Sequence, residues 1–145
     1  MRLVKTIRGQ KLPDNTVYIG RPSKWGNPFK VGDDYTRTRA EAVVNYQSYL
    51  YMTKEGNKLL FHLEELRGKN LACWCGEWEY GDPEKIDCHG VILMEAANEL
   101  AFKKEIEALI HRYYKPDIAE AIIDHMEIEH EEESKYKKII IIVPD

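Results

Sequence analysis

All three cysteines of this chain fall in one short segment, and no other feature constrains the fold as tightly. They occur in two words, Leu71-Ala-Cys-Trp-Cys75 and Cys88-His89-Gly90. Residues 69–74 read as a short buried strand, and the run that follows His89 reads as a helix. On a strand, residues two apart leave the same face, so Cys73 and Cys75 point together while Trp74 points away. Cys88 and His89 open the helix, where free backbone N–H groups favour a thiolate. The fold must then bring a strand end and a helix start to one point. Cys73, Cys75, Cys88 and His89 form a Cys3His set, a standard tetrahedral shell for zinc, although Cys-x-Cys is tighter than the usual Cys-x2-Cys knuckle. Four protein ligands leave no open position, so such a zinc is structural. Two other readings compete with the metal: Cys73 buried as a small hydrophobe apart from the rest, or redox-active or nucleophilic thiols.

A second stretch carries chemistry: Gly20-Arg-Pro-Ser-Lys-Trp-Gly-Asn-Pro-Phe29. Two prolines and two glycines in ten residues forbid regular structure, so this is an ordered loop. Backbone N–H groups with Arg21 or Lys24 can hold an anion there, Ser23 and Asn27 add hydrogen bonds, and Trp25 can stack a base. The competing reading is a turn whose Trp25 and Phe29 simply fill the core.

Strands are expected near 2–7, 16–20, 69–74 and 138–143, and helices near 38–53, 57–67, 89–114 and 117–133. Thr36 or Thr38 caps the first helix, with Glu41 completing a capping box on Thr38. Gly68 closes the second helix as a left-handed glycine. Residues 76–87 read as a polar loop, and Lys138-Ile-Ile-Ile-Ile-Val143 as a strand buried on both faces. Strands alternating with helices predict an α/β fold: a mixed sheet of about four strands flanked by helices, a Rossmann-like sandwich in a single domain. Residues 1–100 form its core, with 101–145 a helical extension and final strand packed on the same domain. In such folds ligands bind beyond the carboxyl ends of strands, and both informative stretches begin at a strand end.

Charge divides unevenly. Residues 1–40 hold nine Lys/Arg against three Asp, while the remainder holds twelve basic against twenty-two acidic residues. A basic N-terminal third suits phosphates, although a solvated surface facing an acidic remainder explains it as well. No apolar run reaches the length of a membrane span, the N-terminus lacks a signal-peptide core, and an odd cysteine count argues against a secreted disulfide framework. A cytoplasmic protein with no membrane partner is expected.

The words Val17-Tyr-Ile-Gly-Arg-Pro-Ser-Lys-Trp-Gly-Asn-Pro-Phe29, Leu66-Arg-Gly-Lys-Asn-Leu-Ala-Cys-Trp-Cys75 and Cys88-His-Gly90, with Glu95, Ala96 and Asn98 after the last, resemble, in that order, the "domain of unknown function 4326" family of small phage and bacterial proteins. The resemblance covers about residues 16–100. It differs in two respects: the link between the cysteine words is longer here, and Val91 stands where relatives often carry an acidic residue. Residues 101–145 lie outside the resemblance, which implies no particular reaction.

Three functions follow. The first is a nucleotide or nucleic-acid binder or enzyme contacting its ligand through Arg21, Ser23, Lys24, Trp25 and Asn27. The second is a non-catalytic, zinc-stabilised interaction module directed at a host protein, with the C-terminal segment as the partner surface. The third is a thiol enzyme with Cys88 as nucleophile and His89 as base, although adjacent helical residues do not face one another. Whether any reaction is catalysed stays open at this level.

Overall fold

The computed structural model describes residues 1–130 and 137–141. The chain divides into two compact units, Met1–Asn98 and Glu99–Asp145.

The first unit is built on a mixed sheet. Its strands are β1 (Arg2–Lys5), β2 (Thr16–Tyr18), β3 (Asn70–Cys73) and β4 (Trp78–Glu79), in the order β2-β3-β1-β4. β3 runs parallel to both β1 and β2, so Leu71 stands beside Leu3 on one side and Val17 on the other. β4 is antiparallel to β1, pairing Arg2 with Glu79 and Leu3 with Trp78. The chain from β2 to its parallel neighbour β3 passes through α1 (Arg39–Met52) and α2 (Lys54–Phe61). Such a crossover is what a parallel pair requires. The predicted mixed four-stranded α/β arrangement is therefore present, with β4 as its fourth strand.

Local chemistry explains the helix bounds. The capping box forms as predicted: Thr38 Oγ1 accepts from the Glu41 N–H at 3.1 Å, and Glu41 accepts from the Thr38 N–H at 3.3 Å. α1 ends at Thr53, whose hydroxyl donates back to the Tyr49 carbonyl and accepts from the Gly56 N–H, so one residue closes α1 and opens α2. Gly56, which interrupts the pattern in the sequence, sits inside the first turn of α2. Its missing side chain lets α2 approach α1 closely, because an added Cβ would lie 2.6 Å from the Leu50 Cα. The helix expected over 57–67 is accordingly shifted: it starts at Lys54, stops at Phe61, and gives way to a 3-10 turn at Leu63–Glu65. Gly68 does adopt the left-handed conformation, with φ of 71°.

α3 (His89–Tyr113) begins beside the sheet. A Cβ on Gly90 would meet Leu3 Cδ1 at 2.7 Å and Ile19 Cδ1 at 2.8 Å, so glycine permits this close seating. Val91, Leu93, Met94, Ala96 and Ala97 are buried, joining Leu3, Ile19, Tyr46, Leu50, Leu66 and Leu71 in the core. Among the described residues, no helix is long and apolar enough to cross a membrane.

The C-terminal segment departs from expectation. The helix predicted over 117–133 is only α4 (Pro116–Asp124), followed by β5 (Met126–His130). Met126-Glu-Ile-Glu-His130 alternates apolar and polar residues, a strand period, and pairs antiparallel with β6 (Lys137–Ile141). The strand predicted over 138–143 is thus not in the main sheet: β5 and β6 form a sheet of their own. Pairing with a partner close in sequence closes a smaller loop than pairing with strands far back in the chain. Residues 142 and 143 of that predicted strand lie outside the described residues.

Candidate metal centre and ligand cavity

The parallel strands deliver the site. β3 ends at Cys73, and Cys75 follows in a bend. β2 leads into the 20–29 loop, and α3 begins at His89. The two stretches singled out from the sequence therefore meet, because both emerge from the carboxyl ends of adjacent parallel strands.

The three sulfurs of Cys73, Cys75 and Cys88 all lie within 4.8 Å of one another, and none is in a disulfide. Cys73 Sγ is 3.7 Å from Cys75 Sγ. Thiolates bound at 2.3 Å in a tetrahedral zinc shell are separated by about 3.8 Å, so this spacing already matches a shared metal. Cys73 and Cys88 are buried and Cys75 half-buried. Cys88 caps α3 with its sulfur, which accepts from the Gly90 N–H at 3.4 Å.

Three thiols this close cannot ionise independently. Hydrogen bonds from Cys75 and then Cys88 hold the Cys73 thiol far below the usual thiol range. The hydrogen bond with Cys73 pushes Cys75 up, with burial adding to the effect, while Cys88 and then Arg39 oppose it. Cys88 is pushed up as well, first by Cys73, then by Cys75 and by burial. Ionisation of Cys73 is thus favoured at the expense of the other two thiols. A cation in their midst would favour the thiolate form of all three, as a bound metal does.

His89 is buried at 5% exposure, and its Nε2 lies 2.8 Å from the Ile19 carbonyl oxygen. Its Nδ1 is 3.9 Å from Cys88 Sγ. The imidazole stands outside the group of three sulfurs, although the sequence places it with them.

A cavity of about 420 Å³ lies directly over this cluster. All three cysteines and His89 line it, together with Arg21, Asn27, Arg39, Trp74 and Asp87. Of the loop residues predicted to bind a ligand, Arg21 and Asn27 reach the cavity, whereas Ser23, Lys24 and Trp25 are absent from its lining. Trp25 and Lys24 have a physical reason. Trp25 is buried at 3% exposure, and its carbonyl accepts from the Tyr46 hydroxyl at 2.8 Å. Lys24 pairs with Glu65 at 2.5 Å and lies over the Trp25 ring, 5.2 Å from its centroid. The Ser23 Oγ is buried and has no hydrogen-bond partner among the described residues. Asn27 is largely engaged in shaping the loop, donating to the Ala42 carbonyl at 3.0 Å and accepting from the Phe29 N–H at 2.9 Å.

A family comparison adds to this geometry. The family described as a domain of unknown function (DUF4326) matches residues 3–99. The chain belongs to that family. No curated protein and no solved structure matches it. The DUF4326 match ends beside the boundary between the two compact units, which falls after Asn98. Every residue of the cysteine cluster and the cavity lies inside the DUF4326 portion.

Arg39 and Trp74 are among the cavity residues that escaped the sequence reading. Arg39 reads there as the start of α1, and it enters the site because the capping box turns the chain at Thr38. Trp74 lies between two clustered cysteines, yet strand alternation directs it away from them. The strand ends at Cys73, the alternation lapses, and Trp74 lines the cavity half-exposed, its Nε1–H donating to Tyr18 Oη at 2.9 Å.

Proposed function

We propose that Met1–Asn98 is a zinc-centred nucleotide-binding unit, in which Cys73, Cys75 and Cys88 hold the metal and the cavity above takes a phosphate-bearing nucleotide. One observation carries this reading: the three clustered sulfurs line the same cavity that presents Arg21, Arg39 and the half-exposed indole of Trp74. Thiolates are soft ligands, and a buried all-sulfur cluster suits zinc better than magnesium or calcium. The metal supplies charge neutralisation and a rigid cross-link between β3 and α3.

The ligand class follows from the lining. Two guanidinium groups suit phosphate oxygens, since their paired N–H donors match phosphate geometry. An aromatic ring whose edge is already tied by a hydrogen bond offers its face to a base. The volume lies in the roughly 300–1,000 Å³ range of small-molecule sites. The proposal transfers the base-stacking role from Trp25 to Trp74, and the cationic role from Lys24 to Arg39.

The test uses full-length protein purified without chelators. Elemental analysis is expected to give one zinc per chain. Titration with nucleoside mono- and triphosphates is expected to quench tryptophan fluorescence, and Arg21→Ala and Arg39→Ala each to weaken binding roughly tenfold or more. A single-stranded oligonucleotide that binds where free nucleotides do not would move the reading to nucleic acid. Affinity unchanged in the double arginine variant would sink it.

A further inference from the structure

The ring of His89 contacts both the cysteine cluster and the backbone residue that leads into the ligand loop. Its Nε2 faces the Ile19 carbonyl oxygen at 2.8 Å, an acceptor, so in the neutral ring the proton sits on Nε2 and the lone pair on Nδ1. That lone-pair nitrogen is the one 3.9 Å from Cys88 Sγ. Sulfur and nitrogen bound to one tetrahedral zinc are separated by about 3.6 Å. A histidine that ligates a metal through one nitrogen while its other N–H holds a backbone carbonyl is the usual arrangement of metal-bound imidazole.

The carbonyl it holds has its own significance. Ile19 directly precedes Gly20 and Arg21, and Arg21 lines the cavity. The His89 ring also packs edge-on to Tyr46, with centroids 5.0 Å apart and planes at 79°. Tyr46 in turn donates to the Trp25 carbonyl at 2.8 Å. Two packed rings therefore hold the 20–29 loop at its start and its middle.

From these contacts we infer that His89 completes the metal shell through Nδ1, and that the metal thereby acts as a clasp setting the position of the 20–29 loop and of Arg21. The inference rests on the metal reading above. His89 is the one ligand not yet grouped with the sulfurs, so it is the one that shifts on loading. Its bond to Ile19 carries that shift into the loop. Metal occupancy then regulates the anion affinity of the cavity without the metal touching the anion.

The experiment compares full-length protein before and after stoichiometric zinc, with metal content counted in each sample. Loading is expected to move the His89 Nδ1 resonance in a ring nitrogen-15 spectrum while Nε2 stays protonated. It is also expected to slow amide exchange in the 20–29 loop at least tenfold. His89→Ala is expected to bind zinc more weakly by at least the roughly tenfold that loss of an outer-shell partner alone costs, and to show loop exchange that no longer responds to zinc. Should that variant fail to fold, the comparison of free and loaded wild type decides alone. Zinc bound with an unmoved His89 resonance overturns the inference and leaves the metal reading intact. A moved resonance with unchanged loop exchange overturns the clasp. No zinc bound overturns the metal reading and the inference together.

Discussion

Arg21 and Trp74, separated by 53 positions, are joined through a single oxygen. Tyr18 Oη accepts from the Trp74 Nε1–H at 2.9 Å and donates to the Arg21 carbonyl at 3.0 Å. One hydroxyl thus positions the aromatic and a cationic residue of the proposed nucleotide site. Tyr18→Phe removes both bonds, and each such bond contributes about 1 kcal/mol at most where solvent competes. The expected outcome is a small loss of stability in chemical denaturation and a clear loss of nucleotide affinity in titration. Equal affinity in the two proteins would show that the hydroxyl positions neither group.

The loop cations are expected to separate by partner. Lys24 is paired with Glu65 and stands outside the lining of the cysteine cavity, so Lys24→Ala should leave nucleotide affinity within about twofold while Arg21→Ala costs roughly tenfold. Lys24 holds the Glu65 carboxyl below its ordinary value, chiefly by hydrogen bonding. The pairing is accordingly complete above the ordinary carboxyl range and is lost as pH falls through the lowered value. Nuclear magnetic resonance of the Glu65 carboxyl against pH reads this directly. A normal titration midpoint would contradict the pair.

Metal removal is the sharpest test of the cysteine cluster. Zinc at a free concentration of about 1,000 times its dissociation constant adds roughly 4 kcal/mol to folded-state stability. Excess chelator is therefore expected to lower the melting temperature by roughly 10 °C or more. Cys73→Ser and Cys88→Ser should melt like the chelated wild type and fail to respond to added zinc. A chelator-insensitive melt would argue for thiols that hold no metal.

Gly56→Ala tests the packing of α2 on α1. Alanine improves intrinsic helix propensity by up to about 1 kcal/mol, which alone would stabilise the chain. The added Cβ meets the Tyr49 carbonyl and Leu50 Cα, backbone atoms that cannot rotate aside. Net destabilisation of about 1–3 kcal/mol is expected in urea denaturation. A stabilised variant would refute the close approach.

How much of this was visible in the sequence differs element by element. The start of α1 was legible because Thr38 and Glu41 form a local device, and the Cys73–Cys75 pair because strand and bend keep both sulfurs together. The meeting of the 20–29 loop with the cysteines was legible only as a shared habit of strand ends. What stayed hidden depends on distant contacts. β4 is two residues long and exists because β1 offers it a ladder. The β5 alternation was present at residues 126–130, but apolar residues at 118, 121, 122 and 126 fit a helix equally well. Arg39 and Trp74 show no local sign of facing a cavity, since that depends on where the chain turns.

Both border strands of the main sheet are short: β2 has three residues and β4 has two. A border strand presents unpaired N–H and C=O groups to any other extended chain, and the longer it is, the better a template it makes. Here the segment between the cysteine words folds back to occupy the outer side of β1 at Arg2 and Leu3. That segment therefore does a second job besides connecting Cys75 to Cys88, by guarding the first strand against strand-swapping with neighbouring molecules. Shortening it until β4 is lost is expected to leave the cysteine cluster assembled but to make the protein self-associate.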